Sequence, residues 1–178
     1  GLGLGIAEPY LERRRHVSGT VRGAARTQLH DRGERWKGRL EIESVDITDQ
    51  AEVAALRKRM QGRTLDVLLV NAGVKNDDRE TIADVSTDEF VRVMVTNALS
   101  PLRVIETLGD LVDPHGTIAV MSSGQGSVAN NERGGYEVYR ASKAALNTLM
   151  RSYAARHAGE GRTLLLLAPG WVRTDMGG

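Results

Sequence analysis

The feature that most constrains the fold of this chain is the regular alternation of short apolar runs with longer stretches of helical periodicity. Short apolar runs are typical of strands, and apolar residues that recur every three to four positions predict amphipathic helices. Strands are predicted at residues 16–21, 40–45, 65–70, 117–121 and 163–167, and helices at residues 6–14, 49–60, 87–111 and 139–157. This alternation indicates an α/β fold built on a doubly wound parallel sheet.

The last three predicted strands are apolar almost throughout, as expected of parallel strands that helices cover on both faces. Ser86 and Glu89 have the spacing of a capping box, which predicts that the third helix begins directly after Ser86. Ligands of such sheets bind at the carboxyl ends of the strands. We therefore look for functional residues where each predicted strand ends.

The composition predicts one globular domain over residues 1–178, with 40% hydrophobic and 26% charged residues. A net charge of +1 gives no electrostatic case for nucleic acid or an anionic membrane as a partner. The chain has no cysteine, which excludes disulfides, thiolate metal sites and a cysteine nucleophile, and is compatible with the cytoplasmic location that we expect. No metal site is predicted, because the four histidines lie far apart without ligand spacing. No apolar run approaches the length of about 18 residues that indicates a membrane-spanning helix.

Basic residues are in local excess between residues 11 and 40. This stretch contains nine Lys and Arg residues but only three acidic ones, Glu12, Asp31 and Glu34. A solvated helix end is the simpler interpretation of such a run. A nearby cofactor that carries phosphate is the alternative.

Three strand-end features are compatible with a dinucleotide. The chain opens Gly1-Leu2-Gly3-Leu4-Gly5 before a predicted helix, and glycines there let the backbone approach a pyrophosphate, although a flexible chain end would look the same. Arg22 follows the first strand without an acidic neighbour in its turn, so it either accepts a 2′-phosphate or lies exposed. Asp46, which precedes Ile47, either accepts a hydrogen bond from an adenine amino group or simply precedes a helix.

The next two strand ends carry small and hydroxyl residues. Asn71-Ala72-Gly73 leaves room for a flat ring beside the backbone, or is a plain turn. Ser122 and Ser123 follow the predicted strand at residues 117–121. A hydroxyl there either hydrogen-bonds a substrate carbonyl or only forms a turn.

Tyr139 and Lys143 form the most specific pair in the sequence. Their i, i+4 spacing places both side chains on one helix face. A nearby ammonium group favours tyrosinate, so we expect Lys143 to lower the pKa of Tyr139. A phenol of lowered pKa is a usable proton donor or acceptor near neutral pH. The alternative is a surface pair without a role. The candidate functional residues at the ends of the other predicted strands make this alternative less favoured.

Taken in order, these residues resemble the short-chain dehydrogenases/reductases. The resemblance rests on Gly1 and Gly3, Asp46, Asn71-Ala72-Gly73, Asn97, Ser123, Tyr139 with Lys143, and Pro169-Gly170, and it covers essentially the whole chain. The segment GGYEVYRASKAALN and the TVR turn look like those of the sniffer-type carbonyl reductases. The fold that this implies is a three-layer, Rossmann-like doubly wound sheet.

The resemblance implies a role for each matching residue. Tyr139 would be the general acid/base, Lys143 would bind the nicotinamide ribose, Ser123 would hold the substrate oxygen in preference to Ser122, and Asn97 would anchor a proton-relaying water chain. The implied cofactor-binding residues are Gly1, Gly3, Arg22, Asp46, Ile47, Asn71, Ala72, Gly73, Tyr139, Lys143, Pro169, Gly170, Val172 and Thr174.

Two departures from the family pattern suggest an incomplete domain. Family members begin with an apolar strand and a Thr-Gly segment before the residues that match Gly1 and Gly3, and they continue with a helix and a strand after Thr174. The absent first strand would lie between the strands ending at Val21 and Val70. We therefore expect the chain to be truncated at both ends and to fold poorly without the missing segments.

We expect an oxidoreductase that transfers hydride between NADP(H) and a small carbonyl or alcohol substrate. NADP(H) is expected to be preferred over NAD(H). The full-length protein is expected to be a homo-oligomer. A catalytically silent nucleotide-binding sensor or scaffold is the alternative, although a pure binder has no need of Tyr139. An epimerase or dehydratase of the extended relatives shares the Tyr/Lys pair, but the spacing of the opening glycines and the short chain disfavour it. Residues after Ser123, including Gln125 and residues 130–135, are expected to line the substrate pocket.

Overall fold

Five strands, all paired in parallel, form the framework of the computed structural model, which describes residues 1–172. They form a two-stranded sheet, β1-β2, and a three-stranded sheet in the order β3-β4-β5. Helices alternate with the strands along the chain. This confirms the predicted α/β, Rossmann-like class.

The described residues group into two compact units, and unit 1 contains Gly1–Arg59 together with Val172. Its strands pair in register from Val17 with Leu40 to Val21 with Ser44. Leu11 from the first helix is among its buried apolar side chains. In chain order, its elements are α1 (Leu2–Glu12), β1 (Val17–Val21), α2 (Gln28–Gly33), a 3₁₀ turn (Glu34–Trp36), β2 (Leu40–Ser44) and α3 (Gln50–Arg59).

Unit 2 contains Met60–Trp171 and carries the three-stranded sheet. In chain order, its elements are β3 (Leu65–Val70), α4 (Thr87–Met94), a π-helical segment (Val95–Leu99), α5 (Ser100–Leu108), a 3₁₀ turn (Gly109–Leu111), β4 (Val112–Met121), a 3₁₀ turn (Gly124–Gly126), α6 (Glu137–Arg156) and β5 (Thr163–Leu167). The central strand is β4, and its Ile118 and Val120 are 0% and 1% exposed. A strand with neighbours on both sides and helices near its faces buries nearly every apolar residue.

The edge strand β5 differs from its prediction. Leu165 and Leu166 are 39% and 43% exposed, so the expectation that this strand is covered on both faces is wrong. Among the described residues β5 pairs with β4 alone and therefore lies at the edge of its sheet.

Several boundaries also differ from those predicted. The first helix begins at Leu2 rather than at residue 6, so Gly3 lies inside its first turn, and α2 was not predicted. The helical stretch of residues 87–111 is interrupted by the π-helical segment, and β4 begins five residues earlier than predicted. Ser86 caps α4 as expected by accepting from the Glu89 amide, but the Glu89 carboxylate pairs with Arg92 instead of completing the capping box.

Over residues 1–172, none of the helices combines the length and the apolarity that crossing a bilayer requires.

Candidate active site

Lys143 lies one helical turn after Tyr139 on α6, and its side chain is almost fully buried, with 3% exposed. Its Nζ is 5.7 Å from the centre of the Tyr139 ring and donates to the carbonyl oxygen of Met121, the last residue of β4, at 2.8 Å. Burial lowers the pKa of Lys143 to about 8, because a low-dielectric environment disfavours the ammonium form. The carbonyl uses one of three N–H donors, so the ammonium group can donate further hydrogen bonds.

The Tyr139 phenol is half-buried, and burial raises its pKa above the ordinary value. A hydrogen bond with the Ser123 side chain and the positive charge of Lys75 both act in the opposite direction. The expectation that Lys143 lowers the pKa of Tyr139 is therefore wrong for the structure as described. Burial dominates, and the cation that acts on the phenol is Lys75.

Two adjacent serines at the end of β4 have different surroundings. The Ser122 hydroxyl is buried and donates to Asn147 Oδ1 at 2.6 Å, which ties it to α6. Ser123 is half-buried, accepts from the Gln125 amide at 3.2 Å, and hydrogen-bonds with Tyr139. Of the two serines, Ser123 is therefore the one beside the phenol, and its expected role of holding the substrate oxygen stays a prediction.

Asn97 lies in the π-helical segment and is completely buried. Its Oδ1 accepts from the Val74 amide at 2.8 Å, and its Nδ2 donates to the Val74 carbonyl at 2.7 Å and to the Ser142 hydroxyl at 3.0 Å. π-helical turns are rare and occur often at functional sites. Sequence periodicity does not reveal this one, because a single widened turn leaves the flanking helical pattern intact.

Gly73 connects Asn97 to the Tyr/Lys pair. A side-chain carbon placed on Gly73 would lie 3.4 Å from Asn97 Oδ1 and 3.5 Å from Lys143 Nζ. The structure thus brings together four residues predicted from separate parts of the sequence. They are Gly73, Asn97, Tyr139 and Lys143, with Ser123 bonded to Tyr139.

Unit 1 holds the residues expected to contact the adenosine end of a dinucleotide. Asp46 Oδ1 accepts from the Thr48 amide at 2.8 Å and from the Thr48 hydroxyl at 2.7 Å. These bonds, and to a smaller degree the charge of Arg22, lower the pKa of Asp46. Arg22 therefore has an acidic neighbour in space, although its own turn in the sequence has none.

The other expected cofactor residues occupy varied positions. Gly1 precedes α1 as its N-cap and Gly3 lies within it, so the expected glycine turn is reduced to Gly1. Asn71 and Ala72 follow β3 directly, and Ile47 follows Asp46. Pro169, Gly170 and Val172 follow β5, with Gly170 at a φ of +76° that suits glycine, whereas Thr174 lies outside the described residues.

A cleft of about 230 Å³ opens beside the residues that follow Ser123. It is lined by Gln125, Gly126, Ser127, Val128, Asn131, Glu137, Arg140 and Ala141. Gln125 and Asn131 are among the residues that were expected to line a substrate pocket.

Sequence reasoning missed three residues of the site. Ser142 donates to the Tyr139 carbonyl at 2.7 Å and receives the bond from Asn97, which links the π-helical segment to α6. Asn147 anchors Ser122, and Lys75 acts on Tyr139. Spacing from Lys143 places Ser142 and Asn147 on α6, but nothing in the local sequence marks Lys75.

Comparison with known proteins places this chain among the short-chain dehydrogenases/reductases. A family model described as Enoyl-(Acyl carrier protein) reductase matches residues 1–178. The C-signal protein of Myxococcus xanthus is 42% identical over 116 residues, which cover 64% of this chain and 69% of that protein. The 1-hydroxy-2-glutathionyl-2-methyl-3-butene dehydrogenase of Rhodococcus sp. (strain AD45) is 33% identical over 178 residues, covering 90% of this chain and 78% of that enzyme.

Solved structures are similar over nearly the whole chain. A Burkholderia multivorans protein assigned to the short-chain dehydrogenases/reductases, crystallised with bound NADP, has a TM-score of 0.97 and 54% identity, with 100% of this chain and 78% of that one covered. A carbonyl reductase from Pseudomonas aeruginosa PAO1 in complex with NADP has a TM-score of 0.89 and 33% identity, with 97% and 79% covered. The carbonyl reductase Sniffer of D. melanogaster has a TM-score of 0.91 and 28% identity, with 100% and 79% covered.

Proposed function

Since this chain belongs to the short-chain dehydrogenase/reductase family, we propose that it transfers hydride between NADP(H) and a small carbonyl or alcohol substrate, with Tyr139 as general acid/base. The observation that carries the proposal is the buried Lys143 one turn from a phenol that hydrogen-bonds with Ser123. An arrangement of this kind lowers the stability of the fold, because it buries a cation. It is typical of a functional site.

The reaction requires a proton donor and a group that orients the substrate oxygen. In the reductive direction the Tyr139 hydroxyl gives its proton to the carbonyl oxygen, and the Ser123 hydroxyl donates a hydrogen bond to the same oxygen. The raised pKa of Tyr139 keeps the phenol protonated at neutral pH, which suits this direction. Asn97 and Ser142 fix the backbone around Gly73 and Tyr139, and Asn97 would also anchor the water that returns the proton.

NADP(H) supplies or accepts the hydride when it is bound. The residues present fit such a group, because Lys143 keeps donors for ribose hydroxyls and Gly73 leaves open the space that a side chain would fill. Gly1, Gly3, Asp46, Ile47, Asn71, Ala72, Pro169, Gly170, Val172 and Thr174 are the further proposed contacts. Arg22 would meet the 2′-phosphate, and the NADP bound to two of the similar structures supports this choice over NAD(H).

The experiment is NADPH oxidation followed by absorbance with aldehydes, ketones, a 3-oxoacyl thioester and an enoyl thioester. We expect turnover with at least one carbonyl substrate. Turnover of the enoyl thioester alone would replace carbonyl reduction by reduction of a carbon–carbon double bond. Saturable NADPH binding without turnover of any substrate would favour the catalytically silent sensor or scaffold.

We further propose that residues 1–178 belong to a single NAD(P)-binding catalytic domain. A homo-oligomeric state and a cytoplasmic location stay predictions. The partner proposed is a small molecule.

A further inference from the structure

The turn that carries Ser123 is bounded by Ser122 and Gly126, and both of these residues contact one side chain of α6. The Ser122 hydroxyl donates to Asn147 Oδ1 at 2.6 Å. Asn147 Nδ2 donates to the Gly126 carbonyl oxygen over a longer distance of 3.4 Å. A single carboxamide group therefore binds the residues on either side of the segment 123–125.

The chemistry of the two partners fixes the orientation of the Asn147 carboxamide. A backbone carbonyl only accepts hydrogen bonds, so the amide nitrogen must face Gly126. The amide oxygen then faces Ser122, whose hydroxyl donates to it. Gly126 also packs against this group, since a side-chain carbon on Gly126 would lie 2.8 Å from Asn147 Nδ2. The turn is thus held by close packing as well as by hydrogen bonds.

Hydrogen bonds inside the turn connect the Ser123 hydroxyl to the two ends. The Gly126 amide donates to the Ser123 carbonyl oxygen at 3.0 Å, which closes the 3₁₀ turn. The Gln125 amide donates to Ser123 Oγ at 3.2 Å. The position of the hydroxyl therefore depends on where Ser122 and Gly126 are held.

Asn147 lies on the same helix as Tyr139 and Lys143. It follows Lys143 by one helical turn and Tyr139 by two, spacings that place the three side chains along one face of α6. Lys143 Nζ donates to the carbonyl oxygen of Met121, the residue before Ser122, at 2.8 Å. The helix therefore holds the end of β4 through Lys143 and the following turn through Asn147.

We propose that Asn147 is a positioning residue, which fixes the Ser123 hydroxyl relative to α6, and hence to Tyr139, by binding both ends of the turn that carries Ser123. The inference rests on the proposed function, because Ser123 and Tyr139 are assigned there to the same substrate oxygen. Two groups on different elements act together on one atom only when their separation is held constant. A displacement of about 1 Å can lower the rate by a factor of about 10².

The first test is the steady-state kinetics of Asn147→Leu, which removes both hydrogen bonds and keeps a side chain of similar size. With a carbonyl substrate that the parent reduces, kcat should fall by about tenfold to hundredfold, while the Kd for NADPH changes by less than about twofold. Thr148→Leu is the matched control, because Thr148 is exposed on α6 and its hydroxyl donates to the Ala144 carbonyl of the same helix. The control should keep the parent kcat.

Ser122→Ala removes the shorter of the two hydrogen bonds and should lower kcat by a smaller factor. In the double variant Ser122→Ala/Asn147→Leu, kcat should equal that of Asn147→Leu alone, because Ser122 acts through Asn147. A double variant whose loss of kcat is the product of the two single losses would show that the residues act independently, and would overturn the inference.

The second test is an ultraviolet titration of tyrosinate on the full chain, which needs neither cofactor nor substrate. The chain has four tyrosines, so the signal of Tyr139 is isolated by subtracting the titration of the Tyr139→Phe variant made in the same background. The hydrogen bond with Ser123 lowers the pKa of Tyr139. Asn147→Leu should therefore move the Tyr139 midpoint to higher pH, and Ser122→Ala should move it less far in the same direction. Thr148→Leu should leave it at the parent value.

An Asn147→Leu variant with a lower free energy of unfolding but an unchanged Tyr139 midpoint would have lost only a structural contact, and the inference would fall. If that variant does not fold, an unchanged midpoint in Ser122→Ala would have the same meaning. A chain that shows the midpoint shifts but reduces no substrate would contradict the proposed function and leave the positioning of Ser123 by Asn147 standing.

Discussion

Burial acts on two neighbouring side chains of α6 so that each favours its neutral form. It raises the pKa of Tyr139 and lowers that of Lys143 to about 8. The phenol is thus kept as a proton donor, while Lys143 stays mostly protonated at neutral pH. The sequence predicted the pair and its spacing correctly, but not the direction of the tyrosine shift, because desolvation depends on packing that spacing alone does not give.

Tyr139→Phe keeps the ring and removes the hydroxyl. NADPH should still bind, while turnover falls by a factor of about 10² to 10⁴, the usual contribution of a general acid. Calorimetry measures the binding, and a steady-state assay measures the turnover. Tyr10→Phe on α1, a position that is 41% exposed, is the control that should keep the parent rate. Carbonyl reduction by the Tyr139→Phe variant at the parent rate would remove Tyr139 from the mechanism.

Lys143 should make the stability of the protein depend on pH in the alkaline range. Its pKa is about 8 in the folded chain against an ordinary value of 10.5, so the unfolded chain binds more protons between these values. The free energy of unfolding contributed by Lys143 therefore rises as pH increases from about 8 to 10.5, by ~3 kcal/mol in total.

Urea denaturation of the parent and of Lys143→Met at several pH values measures this contribution. The parent should gain stability relative to the variant as pH rises through this window. A constant difference between the two proteins would mean that Lys143 is not desolvated as described.

The helices and strands show where sequence patterns carry enough information and where they do not. All five strands were predicted, β3, β4 and β5 from runs that are apolar almost throughout and β1 and β2 from short runs that polar residues interrupt. The start of β4 was missed because Pro114 and Gly116 look like a turn, and α2 was missed because six residues show too little periodicity. The sequence likewise placed Asn97 in a long helix, but its contacts with Val74 depend on a π-helical turn and a distant loop.

The 3₁₀ turn after Ser123 approaches α6 closely at Gly126. A side-chain carbon there would lie 2.8 Å from Asn147 Nδ2 and 2.9 Å from the Lys143 carbonyl carbon. Gly126→Ala should therefore push this turn away from α6, lower the free energy of unfolding by about 1 to 3 kcal/mol and reduce turnover.

Gly124→Ala in the same turn is a closely matched control, since a carbon at Gly124 meets no atom within 4 Å. Thermal and urea unfolding of both variants give the comparison. Equal stabilities for the two would show that the turn moves freely against the helix.

Considered as a whole, the described chain separates the proposed tasks between its units. Unit 2 contains Asn97, Ser123, Tyr139 and Lys143, whereas Arg22 and Asp46 belong to unit 1. Selection of the cofactor and control of the reacting phenol should therefore be separable by mutation.

Arg22→Asp should reverse the preference from NADPH to NADH, because it removes an attraction to the 2′-phosphate and adds a repulsion. The same variant should leave the tyrosinate midpoint of Tyr139 unchanged. Fluorescence titration with both cofactors measures the first effect, and ultraviolet titration measures the second. Equal affinities of the parent for NADPH and NADH would contradict the role assigned to Arg22.

The carboxamide of Asn97 imitates a peptide group. It offers Val74 an acceptor and a donor side by side, as the backbone of a neighbouring strand would, and so continues sheet-like bonding four residues beyond the end of β3 at Val70. Aspartate has the same shape but lacks the donor, and leucine lacks both groups. Selection for an asparagine here would therefore act on the architecture of the loop as well as on the chemistry, and its persistence in evolution would not by itself identify an enzyme.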